Sequence, residues 1–159
     1  MGSFIVEGGI PLCGEITPSG NKNEALPVLA ASVLAAGSHE ITNIPYIGDI
    51  HTMIKILKGI GVDITNKNND TLVIDSTNIN NLEPDQGMCS KIRASFLLAG
   101  PLLARRGHIT LPRPGGDRIG RRRLDTHILA LKNLGAEVVI SNSYHLTAKD
   151  GLKGAEIFL

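Results

Sequence analysis

The feature that most constrains the fold of this chain is an internal repeat. Six residues of the first half recur 74 positions later with the same chemical character. Their apolar members recur at helical spacing and a glycine follows them, which predicts two amphipathic helices, each ending at a glycine cap. The matched pairs are Ile50 and Leu124, Ile54 and Ile128, Leu57 and Leu131, Lys58 and Lys132, Ile60 and Leu134, and Gly61 and Gly135.

The segments around these two helices also correspond. Downstream, short strands are predicted at 62–65 and 71–75 in the first copy, and at 136–141 and 144–148 in the second. Upstream, 23–36 and 90–105 are long apolar segments, and each leads into a strand containing Ile-Thr. We interpret both upstream segments as helices buried on all sides, the second one kinked at Pro101.

The predicted fold class is therefore α/β, built from repeated helix–strand–helix–strand–strand units. The first unit covers about 20–76, the second about 88–149, and 154–159 begins a third. A single unit cannot bury its own apolar face, so the copies are expected to pack on one another. Chance similarity of two α/β segments is the alternative, and six matches at one offset disfavour it.

Composition excludes several classes of protein. Hydrophobic residues make up 42% of the 159 and charged residues 19%, which is typical of a globular domain. A net charge of +1 gives no overall attraction to nucleic acid or an anionic membrane. The longest apolar run falls short of the ~20 residues of a membrane helix, and no signal peptide is evident. Cys13 and Cys89 match no metal spacing. These features predict a cytoplasmic protein with reduced thiols.

The two copies differ in one loop. Seven residues separate Thr42 from Ile50, whereas thirteen separate Thr110 from Leu124. The longer loop is rich in glycine and arginine and contains Asp117. Nearby positive charge favours its carboxylate and burial favours the acid, so Asp117 is a candidate for proton transfer. A solvated glycine-rich turn is an equally good interpretation. A nucleic-acid patch is disfavoured because no aromatic residues interleave the arginines.

Two basic residues stand where the upstream helices are predicted to begin. Lys22 and Arg93 add full charges to helix N-termini, which already favour anions. Because the repeat makes the two helices equivalent, both N-termini are expected to face one cleft. The alternative is ordinary capping of these helices by Asn21 or Asn23 and by Ser90.

Several motifs in this order resemble the UDP-N-acetylglucosamine 1-carboxyvinyltransferases. The stretch 19–27 reads Ser-Gly-Asn-Lys-Asn-Glu-Ala-Leu-Pro, and 93–95 reads Arg-Ala-Ser, followed by Gly-Pro-Leu at 100–102. The loop 114–120 reads Pro-Gly-Gly-Asp-Arg-Ile-Gly, and Leu-Asp-x-His follows at 124–127. A last matching stretch, Gly-Leu-Lys-Gly-Ala, lies at 151–155. The resemblance spans essentially the whole chain.

The resemblance implies an inside-out α/β barrel of the enolpyruvyl transferase type. It implies transfer of the enolpyruvyl group of phosphoenolpyruvate to the 3-hydroxyl of UDP-N-acetylglucosamine, with release of phosphate and without a metal or organic cofactor. This is the first committed step of peptidoglycan synthesis, on which cell shape and division depend. The implied residues are Asp117 as proton donor, Lys22 and Arg93 for anionic groups, Asn23 for the sugar, and Arg122, Leu124 and Asp125 for the UDP site.

The chain also departs from the family pattern. Many members have Cys in place of Asp117, so insensitivity to fosfomycin is expected, and many have Pro in place of Arg123. Residues 1–159 do not include the second domain of the family, which supplies further catalytic groups. The isolated chain is therefore expected to be inactive. The alternatives are a non-catalytic fragment that binds UDP-sugar or another chain, and the sister enzyme of enolpyruvylshikimate phosphate synthesis, which typically has Ser in place of Asn23.

Overall fold

The structure is a computed structural model that describes residues 2–116, 120 and 123–158. The helices and strands alternate along the chain and account for most of the residues from 22 to 147. In order they are α1 (Lys22–Ala31), β1 (Ser38–Ile41), α2 (Gly48–Gly59), β2 (Asp63–Asn66), β3 (Leu72–Asp75), α3 (Gln86–Cys89), a 3-10 helix (Arg93–Leu98), α4 (Ala99–Arg106), β4 (His108–Pro112), α5 (Asp125–Asn133), β5 (Glu137–Ile140) and β6 (Ser143–Thr147).

The strands form two three-stranded antiparallel sheets of identical topology. The first has the order β1-β3-β2 and the second the order β4-β6-β5, so in each copy the last strand lies in the middle. In register, Ile64 pairs with Ile74 in the first sheet, and Val138 with Leu146 in the second. The structure therefore confirms a mixed α/β fold built from a repeated arrangement. The exact limits of the units, including a third one beginning at 154, stay a prediction.

The two helices that revealed the repeat are present as predicted. Ile50 and Leu57 on α2 are almost completely buried, and Leu131 on α5 is buried as well. Gly61 and Gly135 follow the helices with φ of 98° and 93°, in the left-handed region that favours glycine. After each helix, the glycine cap therefore turns the chain into the strand that follows.

The prediction of one long helix over 90–105 is wrong in its first half. Ser90 ends α3 instead of opening a helix, and the helical course starts at Arg93 as a 3-10 helix that passes into α4. Pro101 lies in the first turn of α4 and does not kink an established α-helix. Proline has no N–H to donate to the carbonyl of Leu97, which accounts for the tighter winding before it.

The helix α1 is buried on one face only, whereas burial on all sides was predicted. Ala25, Leu26, Leu29 and Ala30 pack towards α2 and the 3-10 helix, but Val28 on the opposite face is 39% exposed. The surrounding core is aliphatic, in line with the composition. Residues 2–19 carry no regular secondary structure, and none of the described helices is long and apolar enough to cross a membrane.

Candidate active site

Three helix beginnings border one cavity of about 260 Å³. They are those of α1, α2 and the 3-10 helix, and the base of the long loop and the start of α5 complete the wall. The floor is apolar, with Leu26, Ile92, Phe96, Leu97 and Leu124. The polar and charged side chains on the described part of the wall are those of Lys22, Asn23, Asp49, Lys91, Arg93 and His127.

The sequence before α1 fixes the position of this helix N-terminus. Asn21 is extended and caps the helix, its side-chain oxygen accepting a hydrogen bond of 2.7 Å from the backbone N–H of Asn23. A Cβ at Gly20 would overlap the backbone oxygen of Asn43, so only glycine permits this approach. Capping by Asn21, which was given as the alternative to an anion site, therefore occurs, and it places Lys22 and Asn23 at the cavity.

Lys22 points from α1 to the first turn of α2. Its Nζ lies 2.9 Å from Oδ2 of Asp49, and both side chains are about 40% exposed, at 42% and 41%. Sequence reasoning missed Asp49. An acidic residue in the first turn of a helix is so common that nothing in the pattern distinguished it.

Arg93 begins the 3-10 helix and turns towards α5. Its Nη2 donates a hydrogen bond of 2.6 Å to the backbone oxygen of Arg123, one residue before Leu124. Lys91 adds a second basic side chain on the same segment, and its Nζ lies 3.9 Å from Sδ of Met88. Lys22 and Arg93 thus meet at one cavity, as the equivalence of the two copies predicted.

The base of the long loop is fixed by backbone contacts. The N–H of Gly115 donates to the oxygen of Cys89 over 3.2 Å, and a Cβ at Gly115 would overlap the carbonyl of Ser90. Gly116 has φ of 94°, and a Cβ there would lie only 3.1 Å from the backbone nitrogen of Arg93. Both glycines thus allow close backbone packing against the segment that carries Arg93.

Comparison with known proteins identifies the family of the chain. The sequence profile of EPSP synthase (3-phosphoshikimate 1-carboxyvinyltransferase) matches residues 6–159. The chain belongs to the EPSP synthase family. This family consists of carboxyvinyltransferases, and its assignment confirms the enolpyruvyl transferase resemblance.

Similar members of the family carry a more specific name. The UDP-N-acetylglucosamine 1-carboxyvinyltransferase of Bradyrhizobium diazoefficiens is 47% identical over 156 residues, 98% of this chain and 36% of its own length. The enzyme of that name from Trichlorobacter lovleyi is 45% identical over 158 residues, 99% of this chain and 38% of its own length. The chain thus spans little more than a third of the curated relatives it matches.

Solved structures of family members confirm the fold class. The enolpyruvyl transferase NikO from Streptomyces tendae superposes with a TM-score of 0.73 at 23% identity, over 91% of this chain and 32% of its own. EPSP synthase from Acinetobacter baumannii gives a TM-score of 0.63 at 19% identity, over 89% of this chain and 33% of its own. At such identities the likeness concerns the fold alone, and the inside-out barrel type of this family is the fold that was expected.

The structure brings some of the predicted site residues of this family member together. Lys22, Asn23, Arg93 and Leu124 border the cavity. Asp125 opens α5 with an exposed side chain, which lies 3.5 Å from Nη1 of Arg123 and does not contribute to the cavity wall. The predictions for Asp117 and Arg122 lie outside the described residues. The roles of the six predicted binding residues and of Asp117, the predicted proton donor, stay predictions.

Two further features bear on the chemistry of the site. His127 lines the cavity with its ring centroid 6.0 Å from that of Phe96, and the Leu-Asp-x-His motif could have pointed to it. Burial raises the pKa of the Cys89 thiol to about 11, while Ser95 acts in the opposite direction. Cys89 is therefore a protonated thiol below the loop. No group of three or more acidic, histidine or cysteine residues is placed to hold a metal within the described part of the chain.

Proposed function

We propose that this chain is the first part of a cytoplasmic enzyme that transfers the enolpyruvyl group of phosphoenolpyruvate to the 3-hydroxyl of UDP-N-acetylglucosamine, in the first committed step of peptidoglycan precursor synthesis. The observation that carries the proposal is the convergence of Lys22 and Arg93 at one cavity. Relatives with 45–47% identity, named for this reaction, support it.

The charges of the cavity suit two anionic substrates. Lys22, Lys91 and Arg93 outnumber the single carboxylate of Asp49 among the described wall residues. A guanidinium and an ammonium bind phosphate and carboxylate oxygens through charge-assisted hydrogen bonds. Asn23 offers an amide for hydroxyl or acetamido groups of a sugar. We therefore assign Lys22 and Arg93 to anionic groups and Asn23 to the sugar.

The proposed reaction needs proton transfers and bond changes at two carbons of phosphoenolpyruvate, C2 and C3. In the addition step the sugar 3-hydroxyl oxygen bonds to C2 of phosphoenolpyruvate, loses its proton to a base, and a proton is added to C3. In the elimination step C3 loses a proton, the double bond reforms, and the C2–O bond to phosphate breaks. We assign delivery of the proton to C3 to Asp117, because a carboxyl with several arginines close to it in the sequence is a candidate for proton exchange.

The remaining predicted contacts belong to the nucleotide. Leu124 is buried at the cavity wall and offers an apolar surface, and Arg122 and Asp125 lie beside it in the sequence. We propose that these three residues line the UDP site. Arg123, which stands where many relatives have proline, accepts a hydrogen bond from Arg93 through its backbone oxygen, so its side chain is not required for that contact.

Two other functions compete with this proposal. The sister reaction, transfer to shikimate 3-phosphate, is the one for which the matching family profile is named. The presence of Asn23 in place of the typical serine opposes it. A non-catalytic fragment that binds UDP-sugar or associates with another chain is the second alternative.

One assay separates the three functions. In the longer enzyme, phosphate release from phosphoenolpyruvate should depend on UDP-N-acetylglucosamine and should not occur with shikimate 3-phosphate. Release only with shikimate 3-phosphate would assign the sister reaction, and release with neither acceptor would refute transferase function. The isolated 159-residue chain should show no turnover, because closing a cleft around both substrates requires a second wall.

A further inference from the structure

Asp49 is an unexpected residue in a cavity built to bind anions. It is the acidic residue among the described side chains of the wall, and its Oδ2 lies 2.9 Å from Nζ of Lys22. A carboxylate at this distance weakens the attraction of the ammonium for a substrate anion. Its position therefore requires another reason.

Stability explains little of the contact. Both side chains are about 40% exposed, and ion pairs with such exposure contribute little to folding. Interaction with the helix dipole also fails to explain why Asp49 faces the cavity, because any acidic residue in the first turn of the helix would provide that interaction. Glu24 in the first turn of α1 meets that requirement and does not line the cavity.

The second copy contains an equivalent contact made with different atoms. Asp49 precedes Ile50, the first buried residue of α2, and Arg123 precedes the matching Leu124. The carboxylate of Asp49 accepts from Lys22, and the backbone oxygen of Arg123 accepts from Arg93 over 2.6 Å. In both copies, the residue at this position accepts a hydrogen bond from the cation at the start of the upstream helix.

We propose that Asp49 is a positioning residue that fixes the direction of the Lys22 ammonium in the cavity. This proposal rests on the proposed function of the cavity and extends it. A lysine has four rotatable bonds, so an unguided ammonium samples many positions, and catalysis by proximity requires one of them. Asp49 restricts this freedom, as the carbonyl of Arg123 does for Arg93.

The first test uses the 159-residue chain and inorganic phosphate as the probe. Asp49→Asn should shift the NMR signals of the Lys22 ε-methylene and ammonium groups, whereas the matched change Glu24→Gln should leave them in place. Phosphate should bind about threefold more tightly to Asp49→Asn than to the unchanged chain, because a nearby negative charge is removed. Unchanged Lys22 signals would overturn the proposal.

The second test measures turnover in the longer enzyme. Asp49→Asn should lower kcat by about tenfold while the KM for phosphoenolpyruvate stays the same or falls, and Asp49→Glu should recover part of kcat. Replacing a purely structural residue would lower thermal stability without lowering kcat selectively relative to KM. Equal kcat in all variants of an active enzyme would refute the role of Asp49. An inactive unchanged enzyme would refute the proposed function, and the phosphate experiment would still decide on Asp49.

Discussion

The first and second copies of the unit share a topology but differ where they border the cavity. Both have three antiparallel strands in the same order and a buried helix closed by glycine. The first copy connects its first strand to α2 by a short segment, whereas the second inserts a long loop whose base packs on the start of the 3-10 helix. Under the proposed function, the repeated framework carries the cations proposed to bind anions, and the insertion adds the residue proposed to transfer a proton.

The largest effect is expected at the inserted loop. In the longer enzyme, Asp117→Asn should reduce turnover by roughly 10²-fold or more, because it removes the proposed proton donor. The enzyme should be insensitive to fosfomycin, since a carboxyl is a much weaker nucleophile than a thiolate. Asp117→Cys should retain activity and gain sensitivity. Rapid stoichiometric inactivation of the unchanged enzyme, with label on the loop, would contradict the assignment.

The cations of the two copies should give the next largest effect. Lys22→Ala or Arg93→Ala should each weaken the binding free energy of the substrate by about 1.5–3 kcal/mol, the contribution of one hydrogen bond to a charged group. Thermal unfolding should change little, since both side chains are partly exposed at the cavity. If either variant unfolds at a clearly lower temperature but binds substrate as before, that residue is structural.

A pair of glycine substitutions distinguishes the connecting segments of the two copies. Gly115→Ala should destabilise the chain by about 1–3 kcal/mol, because its Cβ overlaps the backbone of Ser90. Gly48→Ala, at the start of α2, meets no atom within 4 Å and should be neutral or slightly stabilising. Urea unfolding of both variants measures the difference. Equal stability of the two would show that the loop base is not packed as described.

The smallest effect concerns the thiol below the loop. The folded-state pKa of Cys89 is raised from 9.0 to about 11, so folding favours the protonated thiol. This contribution is fully present below pH 9 and is lost as pH rises towards 11. Stability should therefore decline over this range, and the part due to Cys89 should disappear in Cys89→Ala. The same pH dependence in Cys89→Ala and in the Cys13→Ala control would contradict this prediction.

Much of the fold could be predicted because apolar residues recur at the same helical spacing in both copies, which indicates the buried face of each helix. Matched residues such as Ile50 and Leu124 fixed the two helices, and Gly61 and Gly135 fixed their ends. The passage from 90 to 106 could not be predicted, because apolar character does not distinguish a 3-10 turn from an α-helix. One-sided burial of α1 was missed because exposure depends on what packs against a helix.

The candidate site could be predicted in part for similar reasons. Lys22 and Arg93 were found because a basic residue at a helix N-terminus is unfavourable without a ligand. Asp49 and Lys91 were missed, since charged residues at such positions are common on ordinary surfaces. Their meaning depends on three-dimensional neighbours, such as the 2.9 Å contact between Asp49 and Lys22.

The central claim is that cations from both copies act on one anionic ligand, and a double-mutant cycle tests it most directly. The measurement is the affinity of the 159-residue chain for inorganic phosphate, in the unchanged protein, Lys22→Ala, Arg93→Ala and the double variant. If both cations contact one anion, the two losses should be non-additive by about 0.5 kcal/mol or more. Strictly additive losses, or no loss in either single variant, would contradict a shared site.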